Sequence, residues 1–184
     1  MKLLAIVGTN ADFSYNRLVQ QFMAKRYAEQ AEIEVYEIAQ LPRFKKEANI
    51  DQTVVDFREK IRQADGVIFS TPEYDHGIPS SLKNAMEWTG KHAPGNGDVF
   101  RMKPSMVVGA SYGIQGAARA QEDMREILLS PDISSNLLPG NEVLISHVAD
   151  KFNKETGELT DPVDIEALDV AFENFVKFVK HAHK

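Results

Sequence analysis

The chain has 184 residues, 43% hydrophobic and 26% charged, with no cysteine and a formal net charge of −6. That size suits one domain with a substantial core, and the missing cysteines exclude disulfides, thiolate catalysis and sulfur-ligated metals. A pI near 5.4, with no basic cluster beyond pairs such as Lys45-Lys46, argues against nucleic-acid and anionic-membrane partners. The longest apolar runs, about five residues, fall far short of the roughly 20 that cross a bilayer. Lys2–Gly8 is too short for a signal segment, and together these features place the expectation in the cytoplasm.

In chain order, the first strand candidate is Leu3–Val7, continuous and apolar as in a central parallel strand. A helical pattern at Asn16–Glu29 follows, then Ile33–Ile38, whose mixed polarity fits a sheet edge. A helix at Thr53–Ala64 leads to a third strand, Gly66–Ser70, and a third helix at Pro79–Lys91. Ser105–Ala110 reads as strand four, Gln115–Leu128 as helix four and Glu142–Ile145 as strand five. The last helix, Pro162–Lys180, carries Ile165, Leu168, Phe172, Phe175 and Val179 on one face and proline at its first turn. Such alternation predicts one α/β domain over residues 1–184, a three-layer, doubly wound sheet of five parallel strands in the order 2-1-3-4-5.

Ligands of such sheets sit at the carboxyl ends of the strands. After strand one comes Gly8-Thr9-Asn10-Ala11-Asp12-Phe13-Ser14-Tyr15-Asn16-Arg17, with neither a dinucleotide fingerprint nor a P-loop. It is a hydroxyl- and amide-rich turn into a helix start, sized for a single phosphate; a plain connection capped by Ser14 is the alternative. After strand three, Thr71–Trp88 turns through Pro72, Gly77 and Pro79 and offers backbone N–H groups, one aromatic ring and little aliphatic bulk. That surface suits a flat, polar-edged heterocycle.

Together these loops resemble the NADPH-dependent FMN reductase family, the flavodoxin-like group that includes azo-, quinone- and chromate-reducing enzymes. Its members show G-S-x-R-x-x-S-x-N-R after strand one, against Gly8–Arg17 here, and P-E-Y-N-x-S-x-P-x-x-L-K-N-A after strand three, against Pro72–Ala85. A small-residue loop, Ser111–Gly116, and the turn Phe152–Leu159 extend the resemblance over nearly the whole chain. The resemblance implies an FMN site made by Thr9, Ser14, Tyr15, Asn16 and Arg17, with the Ser14 and Asn16 side chains and nearby amides on the phosphate. It also implies that the backbone of Pro72, Glu73, Tyr74, Asp75 and His76 lines the pyrimidine edge, with Ser111 and Gly113 as the opposite wall. Ala11 stands where the family has arginine; a charge-assisted hydrogen bond is worth roughly 1.5–3 kcal/mol, so flavin binding weakens on the order of 10- to 100-fold unless Arg17 compensates. Asp75 replaces the family asparagine and is expected to contribute backbone only.

The resemblance further implies hydride transfer from NADPH or NADH to bound FMN and on to a small acceptor: free flavin, quinone, azo compound or metal oxyanion. No side chain is then needed as a nucleophile, and none is assigned a catalytic or metal-binding role. A homodimer or homotetramer is the implied assembly. A flavodoxin-type electron carrier and a non-catalytic flavin-binding module are the competing classes. Outside the loops, Trp88 reads as a core or oligomer contact and Glu122-Asp123 as a solvated helix face. His181 and His183 have ligand-like spacing but no third ligand.

Overall fold

The computed structural model describes residues 1–46 and 49–182. Its elements are β1 (Lys2–Val7), α1 (Tyr15–Arg26), β2 (Glu32–Glu37), α2 (Gln52–Gln63), β3 (Gly66–Thr71), α3 (Ser80–Glu87), β4 (Pro104–Ala110), α4 (Ala118–Leu129), β5 (Asn136–Leu137), β6 (Leu144–Ile145) and α5 (Pro162–Ala182). The strands pair in parallel in the order β2-β1-β3-β4-β5, with β6 also on β4. The expected order is therefore present.

The fifth position differs from expectation: two short segments share it. β5 pairs with Pro104 and Ser105 at one end of β4, while β6 pairs with Gly109 and Ala110 at the other. Between them lie Pro139, Gly140 and Asn141, the last two in left-handed backbone at φ 63° and 54°, which breaks an extended run.

Strand alternation sorts side chains into two cores. Leu3, Ala5, Ile68, Met106 and Val108 face α1 and α5, meeting Val19, Met23, Leu168, Phe172 and Phe175. Leu4, Ile6, Val67, Phe69 and Val107 face the other way, meeting Phe57, Leu82, Met86 and Met124 of α2, α3 and α4. Each fully buried Phe or Leu contributes roughly 1.5–3 kcal/mol, so both faces of the sheet are firmly held. α3 is shorter than expected, and its Asn84, with Trp88 just past its end, grips the segment at Pro42–Phe44: Trp88 Nε1 donates to Pro42 O at 2.8 Å. Trp88 is thus a core residue, 1% exposed.

Register brings the loops together. Val7 lies beside Ser70, and Thr71 beside Gly109. The chains after β1, β3 and β4 therefore leave the sheet side by side. Gly8 permits this approach, since a Cβ there would come within 2.7 Å of Ser70 O. No described helix is long and apolar enough to cross a membrane.

Candidate active site

These three loops enclose a cavity of about 300 Å³. Phe13, Ser14, Tyr15 and Asn16 line it from the first loop, and Pro72, Glu73 and Tyr74 from the second. Ala110, Ser111, Tyr112, Gly113 and Gln115 line it from the third, with Val148 behind. Eight of the residues expected from sequence meet here: Ser14, Tyr15, Asn16, Pro72, Glu73, Tyr74, Ser111 and Gly113. Thr9 is one step removed, with its hydroxyl 3.2 Å from the Tyr74 hydroxyl across the floor between two loops.

Ser14 is the N-cap of α1. Its backbone is extended (φ −152°) and its hydroxyl accepts from the Arg17 amide at 3.4 Å. The amides of Tyr15 and Asn16 have no partner among the described residues. They are first-turn amides, whose i−4 acceptors lie before the helix begins. The Arg17 guanidinium donates to the carbonyls of Ala11 (2.9 Å) and Asp12 (3.0 Å) and so fixes the loop that leads into them. The same guanidinium grips both oxygens of Glu37 on β2, at 2.5 and 2.9 Å. That bidentate bond raises the Arg17 pKa despite partial burial, with Glu37 and Asp12 adding attraction.

This geometry gives three groups of expected site residues particular surroundings. Arg17 stands outside the cavity lining and organises the loop, because Glu37 already claims its charge. Asn16 does not spend its side-chain oxygen on a ligand. That oxygen accepts from Ala110 N (3.0 Å) and Ser70 Oγ (2.8 Å), while Nδ2 donates to Ala110 O (2.9 Å), so the buried side chain clasps α1 to β3 and β4. Asp75 and His76 lie outside the lining, at the exposed tip of a tight turn. Both have positive φ (49° and 68°), and Tyr74 and Gly77 exchange backbone hydrogen bonds of 3.0 Å beneath them. This is the geometry of a two-residue hairpin, which turns both side chains away.

The remaining walls are tied to one another. Glu73 accepts from the Arg119 amide and side chain, joining the second loop to α4. Ser111 Oγ donates to Gly113 O (3.3 Å) and accepts from Ala117 N (3.2 Å), so it shapes its own loop. Gly116 must be glycine: φ is +58° and a Cβ would lie 2.6 Å from the Leu144 carbonyl carbon. Sequence reading missed Phe13, Ala110, Tyr112, Gln115 and Val148. Phe13 (60% exposed) and Tyr112 (68%) were detectable as bulky rings in otherwise polar loops. Both stand edge-on to the Tyr15 ring, with centroids 5.0 and 5.6 Å away. Val148 carried no local signal, since its place in the site depends on a partner remote in sequence, the Ser111 carbonyl that its amide meets at 3.1 Å.

Free amides at a helix start, a hydroxyl beside them, and a slot walled by aromatic rings and small residues are complementary to a phosphate attached to a planar ring. At the carboxyl ends of a 2-1-3-4-5 parallel sheet, these features define a flavodoxin-like mononucleotide-binding protein. A sequence model of the NADPH-dependent FMN reductase family matches residues 1–150, and the chain belongs to that family of FMN- and NAD(P)H-dependent oxidoreductases. It is 74% identical over its whole length, and that of its relative, to NADH-dependent flavin reductase subunit 2 of Lactobacillus johnsonii. It is 43% identical to the NADH:(hydroxy)cinnamate reductase subunit CrdA of Vibrio ruber, covering 98% of this chain and 88% of that one. The solved structure of FerB, an NAD(P)H:acceptor oxidoreductase from Paracoccus denitrificans, superposes with a TM-score of 0.86 at 24% identity, covering 98% of both chains. Among the described residues, no group of three His, Cys, Asp or Glu side chains is placed to hold a metal ion. The His181–His183 pair falls partly outside the described residues, and His181 Nδ1 lies 2.7 Å from Lys177 O on its own helix.

Proposed function

We propose that residues 1–184 form one FMN-binding domain that reduces a planar, conjugated organic acceptor at the expense of NADH. FMN, when bound, supplies the hydride-accepting and hydride-donating chemistry. The Ser14 hydroxyl and the Tyr15 and Asn16 amides hold the phosphate end. The backbone of Pro72–Tyr74 and the turn at Ser111–Gly113 flank the ring. These groups bind and orient, and their dipoles are fixed before the reaction by Arg17, Asn16 and Glu73.

The observation that carries this reading is the cavity itself, a slot between three loops whose lining holds four aromatic rings and Pro72. Phe13, Tyr74 and Tyr112 stay accessible around it, which favours flavins, quinones and azo compounds that stack on rings. No Lys, Arg or His lines the cavity, which disfavours a metal oxyanion. NADH as donor rests on the names of the Lactobacillus and Vibrio relatives. Both names also describe subunits, which supports a chain working against a second polypeptide alongside the implied homo-oligomer. The absence of cysteine and the use of a nicotinamide donor support the cytoplasm.

The test is direct. Purified protein titrated with FMN forms a stoichiometric complex with a perturbed visible spectrum, and anaerobic NADH bleaches it within seconds. Unperturbed flavin at saturation overturns the proposal. A bound flavin that neither NADH nor NADPH reduces favours the carrier or non-catalytic alternatives.

A further inference from the structure

A second groove, of about 430 Å³, opens on the β2 side of the first loop, and its lining includes Asn10, Ile38, Leu41, Arg43, Ser80 and Ser81. Asn10 follows Thr9, whose hydroxyl meets that of Tyr74 at 3.2 Å in the wall of the flavin cavity. Groove and cavity therefore flank the same stretch of chain. No carboxylate lines the groove. Arg43 is exposed and has no hydrogen bond or ion pair among the described residues, and neither have exposed Lys45 and Lys46 just beyond it. These cations make a local field opposite in sign to that of the whole chain, whose net charge is −6. The backbone that carries Arg43 is braced on both sides. Phe44 N donates to Asn84 Oδ1 (2.6 Å), and Asn84 Nδ2 and Trp88 Nε1 donate to Pro42 O (3.0 and 2.8 Å). On the facing side α3 begins at Ser80 with no side-chain cap, and the Ser80 and Ser81 amides have no partner among the described residues. The Ser81 hydroxyl is buried and equally unpartnered, a cost that a bound polar group would remove.

We propose that this groove receives the adenosine-diphosphate end of the nicotinamide donor, with Arg43 and the Ser80 and Ser81 amides on the diphosphate and Ile38 and Leu41 against the adenine. The proposal rests on the flavin reading above and specifies where the donor's non-reacting half is held. The nicotinamide ring must enter the cavity to meet the flavin. That cavity offers no Lys, Arg or His, and its helix-start amides are given to the flavin phosphate. The donor's diphosphate therefore needs donors of its own, and the groove supplies a free guanidinium and a second uncapped helix start. Amides fixed in a helix and a guanidinium on a braced backbone lose little freedom on binding.

The experiment titrates ADP-ribose, which lacks the nicotinamide ring, into the FMN-loaded chain by calorimetry. Anaerobic stopped-flow reduction by NADH and by reduced nicotinamide riboside, which has the ring and no phosphate, accompanies it. ADP-ribose is expected to bind, to compete with NADH, and to weaken as NaCl rises from about 0.05 to about 0.5 M. Arg43→Ala is expected to weaken ADP-ribose binding and raise the half-saturating NADH concentration, each on the order of tenfold. The limiting rate of reduction, the FMN affinity and the reaction with the riboside are expected to hold within about twofold. Ser80→Asp, which sets a carboxylate among the free amides, is expected to weaken ADP-ribose while keeping or raising Tm, a combination that damage to the fold cannot imitate. Failure of ADP-ribose to bind the native chain overturns the proposal, as does native affinity in Arg43→Ala or an equal loss for NADH and the riboside. A dimer, seen by sedimentation, that excludes ADP-ribose also overturns it, because a second copy then fills the groove. If FMN itself does not bind, the flavin reading falls separately. Titration of the bare chain then decides the groove: ADP-ribose binding that Arg43→Ala abolishes supports it, and no binding overturns it.

Discussion

The carboxylate of Glu73 receives two hydrogen bonds from Arg119, one from the backbone amide at 3.0 Å and one from Nη1 at 3.2 Å. Glu73 sits in the loop after β3 and Arg119 in the first turn of α4, so the contact fastens one wall of the cavity to the helix that follows the third loop. It also serves α4, whose N-cap is Ala117 in left-handed backbone (φ 65°) with no side-chain cap of its own. A carboxylate from another loop takes that place and meets the positive end of the helix dipole.

Glu73→Ala is therefore expected to cost about 1–2 kcal/mol, or roughly 3–6 °C in Tm, and to weaken flavin binding several-fold as the walls separate. Glu73→Gln keeps the acceptor but loses the charge, and recovers part of both. Thermal unfolding and flavin titration check this. Native Tm and native affinity in Glu73→Ala would show that the staple is idle.

The sheet order and the loops that meet over it were legible because they depend on local pattern: short apolar runs, amphipathic helices and turn residues between them. Ser14 was legible as a cap for the same reason. The side-chain partners of Asn16 and Arg17 were not legible because they are remote in sequence. Asn16 answers to Ala110 and Ser70, and Arg17 to Glu37. A polar side chain near a phosphate loop looks like a ligand until those partners are visible. The turn at Asp75 and His76 was not legible because neither residue type announces left-handed backbone as Gly would. The divided fifth strand was half-visible, since Glu142–Ile145 has β-forming residues and Asn136-Leu137 is too brief to register.

Asn16 is 2% exposed and its side chain satisfies both backbone groups of Ala110 as well as the Ser70 hydroxyl. Asn16→Leu strands those groups in a dry core at about 1–3 kcal/mol for each one left unpaired, so a loss of at least about 3 kcal/mol is expected. The readout is the urea midpoint at unchanged m-value. Asn16→Asp is expected to be no better, because a carboxylate cannot donate to the Ala110 carbonyl and is buried with its charge. A loss below about 1 kcal/mol in Asn16→Leu would return Asn16 to the role of ligand.

His76 supplies φ of 68° at the second position of the hairpin turn. Asp-Gly is the favoured pair for that geometry, so His76→Gly is expected to stabilise the chain by about 0.5–1 kcal/mol. Because His76 lies outside the cavity lining, flavin affinity and NADH-dependent reduction should hold within about twofold. Loss of activity with unchanged stability would place the imidazole at the acceptor after all.

Far from the cavity, Arg26 grips both oxygens of Asp169 at 2.6 and 2.7 Å, and Tyr27 donates its hydroxyl to the same carboxylate at 2.9 Å. Tyr27 also stacks on Phe172 with ring centroids 3.9 Å apart, so this cluster joins α1 to α5. The Arg26 hydrogen bond holds the Asp169 carboxyl below its ordinary value against a partial burial penalty, and the Tyr27 hydroxyl adds to the effect. A carboxylate depressed in the folded state stabilises fully above its unfolded pKa, about 4, and loses that contribution as pH falls through the folded value. Asp169→Asn should accordingly unfold at lower urea than the native chain at pH 7, with the gap closing as the pH drops below about 4. Both side chains are about 40% exposed, so salt should narrow the gap at pH 7 as well. A gap that persists unchanged in acid would mean that position 169 acts through packing and its uncharged hydrogen bonds, with no share carried by the ion pair.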